Sequence, residues 1–247
     1  MLQILTWNIK ACQTAKQITY LTTETRADVL VLTEYRQLVR DDRLTATLHQ
    51  AGWIYQHTLV TQPNVRGVLI ASRLPLEVLP SDTTFDFGVL TDELAPCVAR
   101  VRIPEHDLSL LGVYMPYADG PAKETLWAAL NTYACAHRAE RYVITGDLNS
   151  SVEGESEGPS VYTPGPLKAM REVAIDAWGV MAERYRLPNR DRYTWYSKTM
   201  YGLYGIRLDY TLLSPVLREQ LAHAHHDHTV RFAGLSDHSA LFIDLAL

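Results

Sequence analysis

Apolar residues recur along the chain in short dense runs, separated by stretches whose apolar positions repeat at helical spacing. Seven runs are brief and rich in β-branched or aromatic residues, and read as strands: Leu2–Trp7, Val29–Thr33, Gly67–Ser72, Ser109–Tyr114, Tyr142–Thr145, Leu208–Ser214 and Ala240–Leu245. Helical patterns lie between them. Thr14–Thr25 precedes the second strand, and Asp41–Ala51 sets Leu44 and Leu48 four apart on one face. Pro121–His137 opens with proline at a helix start, and Leu167–Tyr185 repeats the helical pattern. The order lacks the strict strand–helix rhythm of a doubly wound sheet. The stretches "RGVLIASRLPLEVLP" and "CVARVRIPEHDLSLLGVYMP" read as antiparallel hairpin material, with "PEHDLS" supplying turn residues. The pattern predicts two mixed, mainly antiparallel sheets packed face to face with helices outside. No linker interrupts it, so residues 1–247 read as one domain.

Composition narrows the function classes without choosing one. The chain is 47% hydrophobic and 21% charged, ordinary for a folded soluble protein, and its net charge of −5 provides no global field toward nucleic acid or membrane. Three scattered cysteines (Cys12, Cys97, Cys135) make neither a disulfide framework nor a thiolate zinc site. No basic segment followed by an apolar one opens the chain, and no run of about 18 apolar residues occurs, so a cytoplasmic protein is expected. "SSVEGESEGPS" (Ser150–Ser160) reads as a mobile acidic loop with Glu153–Glu157 solvated. The histidine run "AHAHHDH" (Ala222–His228) reads as a loop or exposed strand rather than a zinc site.

Candidate chemistry lies at the strand ends. The run "RYVITGDLN" stops at Asp147 and Asn149, "LQILTWN" at Asn8, "DVLVLTE" at Glu34 and "LLGVYMP" at Tyr114. Asp209 opens a strand, and Asp237 and His238 stand just before the last one. Each alone has an ordinary reading as a turn or a solvated terminus. If the ends share one edge of a sandwich, they bring four carboxylates, two amides, a phenol and an imidazole into one cleft. Clustered carboxylates repel unless a cation lies among them, and oxygen ligands favour Mg2+ or Mn2+ over zinc. Asp209 beside His238 would fix the imidazole tautomer and support its positive charge. This chemistry suits phosphoryl transfer to water.

An ordered set of motifs then carries a resemblance: "TWNI" (Thr6–Ile9), "LTEYR" (Leu32–Arg36), "RGVLIASRLPL" (Arg66–Leu76), "GVYMP" (Gly112–Pro116), "GDLN" (Gly146–Asn149), "YTWYS" (Tyr193–Ser197), "RLDYTLLS" (Arg207–Ser214) and "LSDH" (Leu235–His238). In this order and spacing the chain resembles the endonuclease/exonuclease/phosphatase superfamily, which includes exonuclease III-like AP endonucleases, DNase I, sphingomyelinases and inositol-polyphosphate 5-phosphatases. The resemblance implies a DNase I-like four-layer α/β sandwich. It implies that Glu34 binds the principal metal with Asn8 beside it and Asp237 assisting. It further implies that Asp147 orients or deprotonates the attacking water, with Asp147 or His238 as the base, that Asn149 and Tyr114 contact phosphate, and that Asp209 and His238 act as a pair. One or two Mg2+ or Mn2+ ions are the implied cofactor. The sequence departs from the family in carrying Thr33 before the glutamate, where glutamine is frequent, and Lys10 where some relatives carry an acidic residue.

Substrate assignment rests on fewer residues. Lys10, Arg36 and Lys123 are candidate phosphate contacts, and Trp195, Ile206 and Leu208 occupy positions that form a sugar pocket in AP endonuclease-like relatives. Arg40, Arg66, Arg73, Lys198 and Arg207 are further cations for tracking a backbone. The expectation is a metal-dependent phosphodiester hydrolase acting on DNA, with no membrane anchor and no obligate protein partner. Lipid or inositol-phosphate hydrolysis is the alternative, and an inactive binding module of the same fold is a third reading.

Overall fold

The computed structural model describes residues 1–37, 43–79, 90–157, 164–199 and 202–247. Arg40, the first two residues of the expected helix at Asp41 and the last three of the acidic loop lie outside them. In chain order the elements are β1 (Leu2–Asn8), α1 (Ala15–Thr19), β2 (Val29–Tyr35), α2 (Arg43–Gln50), β3 (Tyr55–Thr58), β4 (Gly67–Ser72) and β5 (Glu77–Val78). There follow β6 (Val98–Ile103), β7 (Leu108–Tyr114), α3 (Pro121–Ala136), β8 (Tyr142–Asp147), α4 (Pro164–Val173), β9 (Ile175–Asp176) and α5 (Ala177–Tyr185). The chain closes with β10 (Trp195–Thr199), β11 (Gly202–Ile206), β12 (Asp209–Leu213), β13 (Leu221–Asp227), α6 (Thr229–Phe232) and β14 (Ala240–Leu245).

The strands form two mixed six-stranded sheets, ordered β13-β14-β1-β2-β4-β3 and β5-β6-β7-β8-β12-β9, plus a separate β10-β11 hairpin. The sheets stack face to face. Leu2, Ile4, Val29, Val31, Ile70, Leu110, Val143 and Leu213 fill the space between them. On the outer face of the first sheet, Leu5, Trp7, Leu30 and Leu32 pack on Leu44, Leu48 and Trp53. On the outer face of the second, Leu111, Ile144 and Tyr210 pack on Leu126, Trp127 and Leu167. This is the predicted four-layer sandwich.

Local chemistry sets the element ends. Thr14 and Gln17 form a capping box at the start of α1, and a π-turn, Tyr20–Glu24, continues that helix. Pro121 opens α3, where a missing N–H costs nothing. Asp107, in the left-handed conformation at φ 48°, closes the β6–β7 hairpin predicted at "PEHDLS".

Three expectations are corrected. The stretch Leu167–Tyr185 is not one helix. Ile175 and Asp176 leave it to pair with β12, and Asp176 then caps α5 by accepting from Gly179 N at 3.2 Å. The stretch "RGVLIASRLPLEVLP" is not a hairpin: β4 pairs with β2 and β3, while β5 crosses to the other sheet and pairs with β6. The acidic loop is anchored inward at its start and at Glu155, since Ser150 and Ser151 are fully buried and Glu155 accepts from Arg171 and Arg207, while Glu153 and Glu157 are exposed as expected. The histidine run forms most of β13, an edge strand of the first sheet.

Candidate active site

The site grows out of the period of two along three strands. In β1 the residues facing the second sheet are Leu2, Ile4, Thr6 and Asn8; in β8 they are Val143, Thr145 and Asp147; in β12, read backwards, Leu213, Thr211 and Asp209. In all three strands the buried face therefore passes from hydrocarbon through a threonine to an amide or carboxylate. The threonines meet, with Thr6 Oγ1 2.7 Å from Thr145 Oγ1 and Thr145 Oγ1 2.6 Å from Thr211 Oγ1. Register then fixes the row above, because Asp147 lies opposite Asp209 on one side and Tyr114 on the other. Asn8 Nδ2 crosses between the sheets to donate to Asp147 Oδ2 at 2.8 Å.

Glu34 reaches this row by a different device. Leu30 and Leu32 face the helices, so strict alternation would send Glu34 there as well. A bulge intervenes, with Thr33 paired to Val68 and Tyr35 to Gly67, and Glu34 takes φ 54°. Its Oε1 comes to 3.3 Å from Asn8 Nδ2, and Arg66, the residue before β4, donates to Oε2 at 3.0 Å. Asn149, also left-handed at φ 41°, donates its N–H to Asp147 Oδ1 at 3.0 Å and its amide to the Met115 carbonyl at 2.8 Å. Gly146 lets β8 run this close to β7, since a Cβ there would lie 1.8 Å from the Val113 carbonyl oxygen at φ 154°.

His238 arrives from the loop before β14. Its backbone N–H donates to Ser236 Oγ at 3.1 Å, and that hydroxyl donates to the Asn8 carbonyl at 2.6 Å. Its Nδ1 lies 2.8 Å from Asp209 Oδ2. Thr194 holds the Asp209 side from behind by accepting from Leu208 N and Asp209 N at 3.0 and 3.2 Å. Burial opposes charging the imidazole, yet the Asp209 carboxylate outweighs it and lifts His238 to about 9. Burial raises Asp147 well above the usual carboxylate range, with Asp209 adding to the rise and His238 working against it. The Tyr114 hydroxyl is held protonated by burial and by the charges of Glu34 and Asp147.

The structure thus brings Asn8, Glu34, Tyr114, Asp147, Asn149, Asp209 and His238 together. Asp237 stands apart, with its carboxylate 3.3 Å from Lys10 Nζ and both side chains well exposed. Lys123 is placed otherwise than a phosphate contact requires. It is fully buried, and its ammonium donates to the Asn149 carbonyl at 2.7 Å and to Asp119 at 3.0 Å. Arg36 is half-buried and ties to the Ala11 carbonyl at 3.3 Å. Trp195 is half-exposed with its ring 6.4 Å from that of His238, whereas Ile206 and Leu208 are buried. Arg207 is no surface cation. It is fully buried and grips Asp176 through both terminal nitrogens at 2.5 and 2.6 Å. Sequence reasoning missed the parts of Ser236 and Thr194, and that of Arg66 as the partner of Glu34.

Among the described residues, Asp147, Asp209 and His238 are the trio whose metal-capable atoms lie within 4.8 Å of one another. Asp209 Oδ1 is buried with no hydrogen-bond partner. Oxygen donors in excess of nearby cations, one of them unsatisfied, fit a hard divalent cation. Asn8 is turned against direct ligation. Its oxygen accepts from Lys10 N at 2.8 Å, and its NH2 faces Glu34 and Asp147.

Residues 5–238 match the model of the Endonuclease/Exonuclease/phosphatase family, and the chain belongs to that family. It is a hydrolase of phosphoester bonds. No curated protein matches it significantly. Similar solved structures include a point variant of the 3′ phosphatase NExo from Neisseria bound to a product DNA hairpin, at 21% identity over 99% of each chain and a TM-score of 0.77. An AP endonuclease from Archaeoglobus fulgidus is 19% identical over the full length of both chains, with a TM-score of 0.73. The endonuclease domain of TRAS1, a telomere-specific non-LTR retrotransposon, is 14% identical over 100% of this chain and 99% of that one, with a TM-score of 0.67. At these identities the likeness concerns the fold, and it agrees with the two six-stranded sheets and their flanking helices. Among the described residues no helix is long and apolar enough to cross a membrane.

Proposed function

We propose that the chain is a Mg2+- or Mn2+-dependent nuclease that hydrolyses DNA phosphodiesters by in-line attack of water. The observation that carries this reading is the Asp209–His238 pair at 2.8 Å, set directly across a β-ladder from Asp147. Glu34 would hold the cation, with Asp147 facing it across the Asn8 amide. Such an ion, when bound, supplies Lewis-acid stabilisation of charge on the phosphate oxygens. The protein's own groups divide the rest. Asp147, with its carboxylate locked by Asn8 and Asn149, orients the water and accepts its proton. His238, kept cationic by Asp209, offsets developing charge on the phosphate, and the Tyr114 hydroxyl is held in its protonated form to donate there. Lys123 fixes Asn149 from behind.

DNA is favoured because the similar structures include DNA-acting enzymes, one of them with DNA product bound. The test is a substrate panel of abasic duplex, plain duplex, single-stranded DNA, RNA, sphingomyelin and inositol phosphates, with Mg2+ or Mn2+ and with chelator. DNA cleavage that stops on chelation and drops at least ~100-fold in His238→Ala is expected. Hydrolysis confined to the lipid and inositol substrates would remove the assignment to DNA.

A further inference from the structure

A groove of about 870 Å³ runs beside the site, lined among others by Lys10, Lys16, Tyr196, Leu203, Arg231 and Phe232. Ser236 and Asp237, which immediately precede His238 in the chain, line it. None of Trp195, Ile206 and Leu208 lines it, so it is distinct from the sugar pocket that the family resemblance implies.

Two properties of the groove point to one ligand. The first is charge. Its lining holds Lys10, Lys16 and Arg231 against a single carboxylate, Asp237, which Lys10 already engages at 3.3 Å. A cationic groove on a chain of net charge −5 is a local feature, and polyanions are drawn to such features. The second is aromatic surface. Phe232 ends the short α6 and is 76% exposed. The Arg231 guanidinium lies 4.3 Å from the Tyr196 ring and 4.7 Å from the Phe232 ring, tying both to one rim. An exposed ring beside guanidinium and ammonium groups is what single-stranded nucleic acid requires: a π-face for an unpaired base and cations for its phosphates. Bases inside a duplex are already stacked on both faces and offer none to Phe232.

We infer that this groove is a single-strand subsite, in which an unpaired stretch contiguous with the reacting phosphate stacks a base on Phe232 and lays its phosphates along Lys16 and Arg231. The inference rests on the nuclease reading and deepens it, since it makes the substrate one with an unpaired segment.

Two free cysteines provide a direct test. Cys12 lines the groove and is exposed, while Cys135, on α3 outside it, is exposed as well and serves as the internal control. The intact protein would be alkylated with a maleimide, alone and with a saturating phosphorothioate oligonucleotide that resists cleavage, and the two sites read separately by mass spectrometry. Single-stranded oligonucleotide is expected to slow alkylation of Cys12 at least ~5-fold and leave Cys135 unchanged, while blunt duplex protects neither. In fluorescence anisotropy, Phe232→Ala should weaken single-strand binding roughly 10-fold, Phe232→Trp should restore it with quenching of the new indole, and Tyr185→Ala, on α5, should change nothing. Lys16→Ala should lower the salt slope of single-strand binding by about 0.7. If wild type cleaves DNA but Cys12 stays equally reactive under saturating single strand, the subsite is wrong and the nuclease reading stands. Equal loss of single-strand and duplex binding in Phe232→Ala also overturns the subsite. If wild type cleaves no nucleic acid, both fall together.

Discussion

Asp147 receives Asn8 Nδ2, Asn149 N–H and Asn149 Nδ2, so its two oxygens are fixed by three donors before any substrate arrives. Replacing it with asparagine keeps the volume and removes both the base and the carboxylate. Asp147→Asn is expected to lower kcat by ~10²–10⁴-fold while the protein stays folded, because the buried donor left facing the new NH2 is offset by removal of a buried charge among other acids. A variant that retains wild-type turnover would show that the water is activated elsewhere. Much of this site was legible in the sequence at the scale of single residues. Asn8, Asp147 and Asp209 continue the inward alternation of strands that pattern alone identifies. Glu34 was legible as a residue type and not as a geometry, since alternation assigns it to the wrong face and only a left-handed bulge returns it. Lys123 and Arg207 misled because a cation in a sequence does not declare its burial. The Lys123 carboxylate partner, Asp119, is only four residues away, but the fold brings the Asn149 carbonyl to its ammonium, and it brings Asp176 to Arg207 from 31 residues away.

Elements hold the site by close approach rather than by side-chain bulk. Gly146 is the clearest case, since β7 and β8 are parallel neighbours here and no room exists for a methyl group. Gly146→Ala is expected to destabilise by more than ~3 kcal/mol or to abolish soluble expression, as read by the urea midpoint. A midpoint within experimental scatter of wild type would mean that β7 can move aside. The long strands were readable because each carries a sustained run of apolar or β-branched positions. By contrast β9 is two residues long, and β5 is as short, so neither has a period to read. Their places follow from tertiary pairing, with Asp176 drawn to β12 and into the grip of Arg207.

At the scale of the whole molecule, a buried ion-pair network stabilises the edge of the second sheet at β9. Arg207 joins Asp176 and Glu155 beneath Tyr210 and Trp178, and Arg171 reaches the same two carboxylates, so Arg207→Met would leave two largely buried carboxylates sharing one cation. A cost of ~3–5 kcal/mol in urea unfolding is expected. His226 lies next to this network. Its ring stacks on Trp178 at 5.2 Å, its Nδ1 is 2.7 Å from the Asp191 carbonyl, and its buried Nε2 has no hydrogen-bond partner among the described residues. Burial, then the charge of Arg207, depress its pKa from 6.5 to about 3. Between those values the unfolded chain binds a proton that the folded chain refuses. Stability from this residue is therefore complete above pH 6.5 and falls by about 1.4 kcal/mol for each unit of acidification below it, until about pH 3. His226→Phe keeps a ring against Trp178 and should flatten the decline in melting temperature between pH 6.5 and 4. An unchanged acid slope would assign the lability to other groups. The order of strands has a consequence in time. β1 is made well before β14, one of its two neighbours, and His238 stands two residues ahead of that strand. A ribosome adding roughly 5–20 residues per second leaves β1 half-paired for on the order of ten seconds or more. Asp209 is itself made only 29 residues ahead of His238, so on the nascent polypeptide its carboxylate waits roughly one to six seconds for the imidazole, and the site stays incomplete until that late loop has emerged.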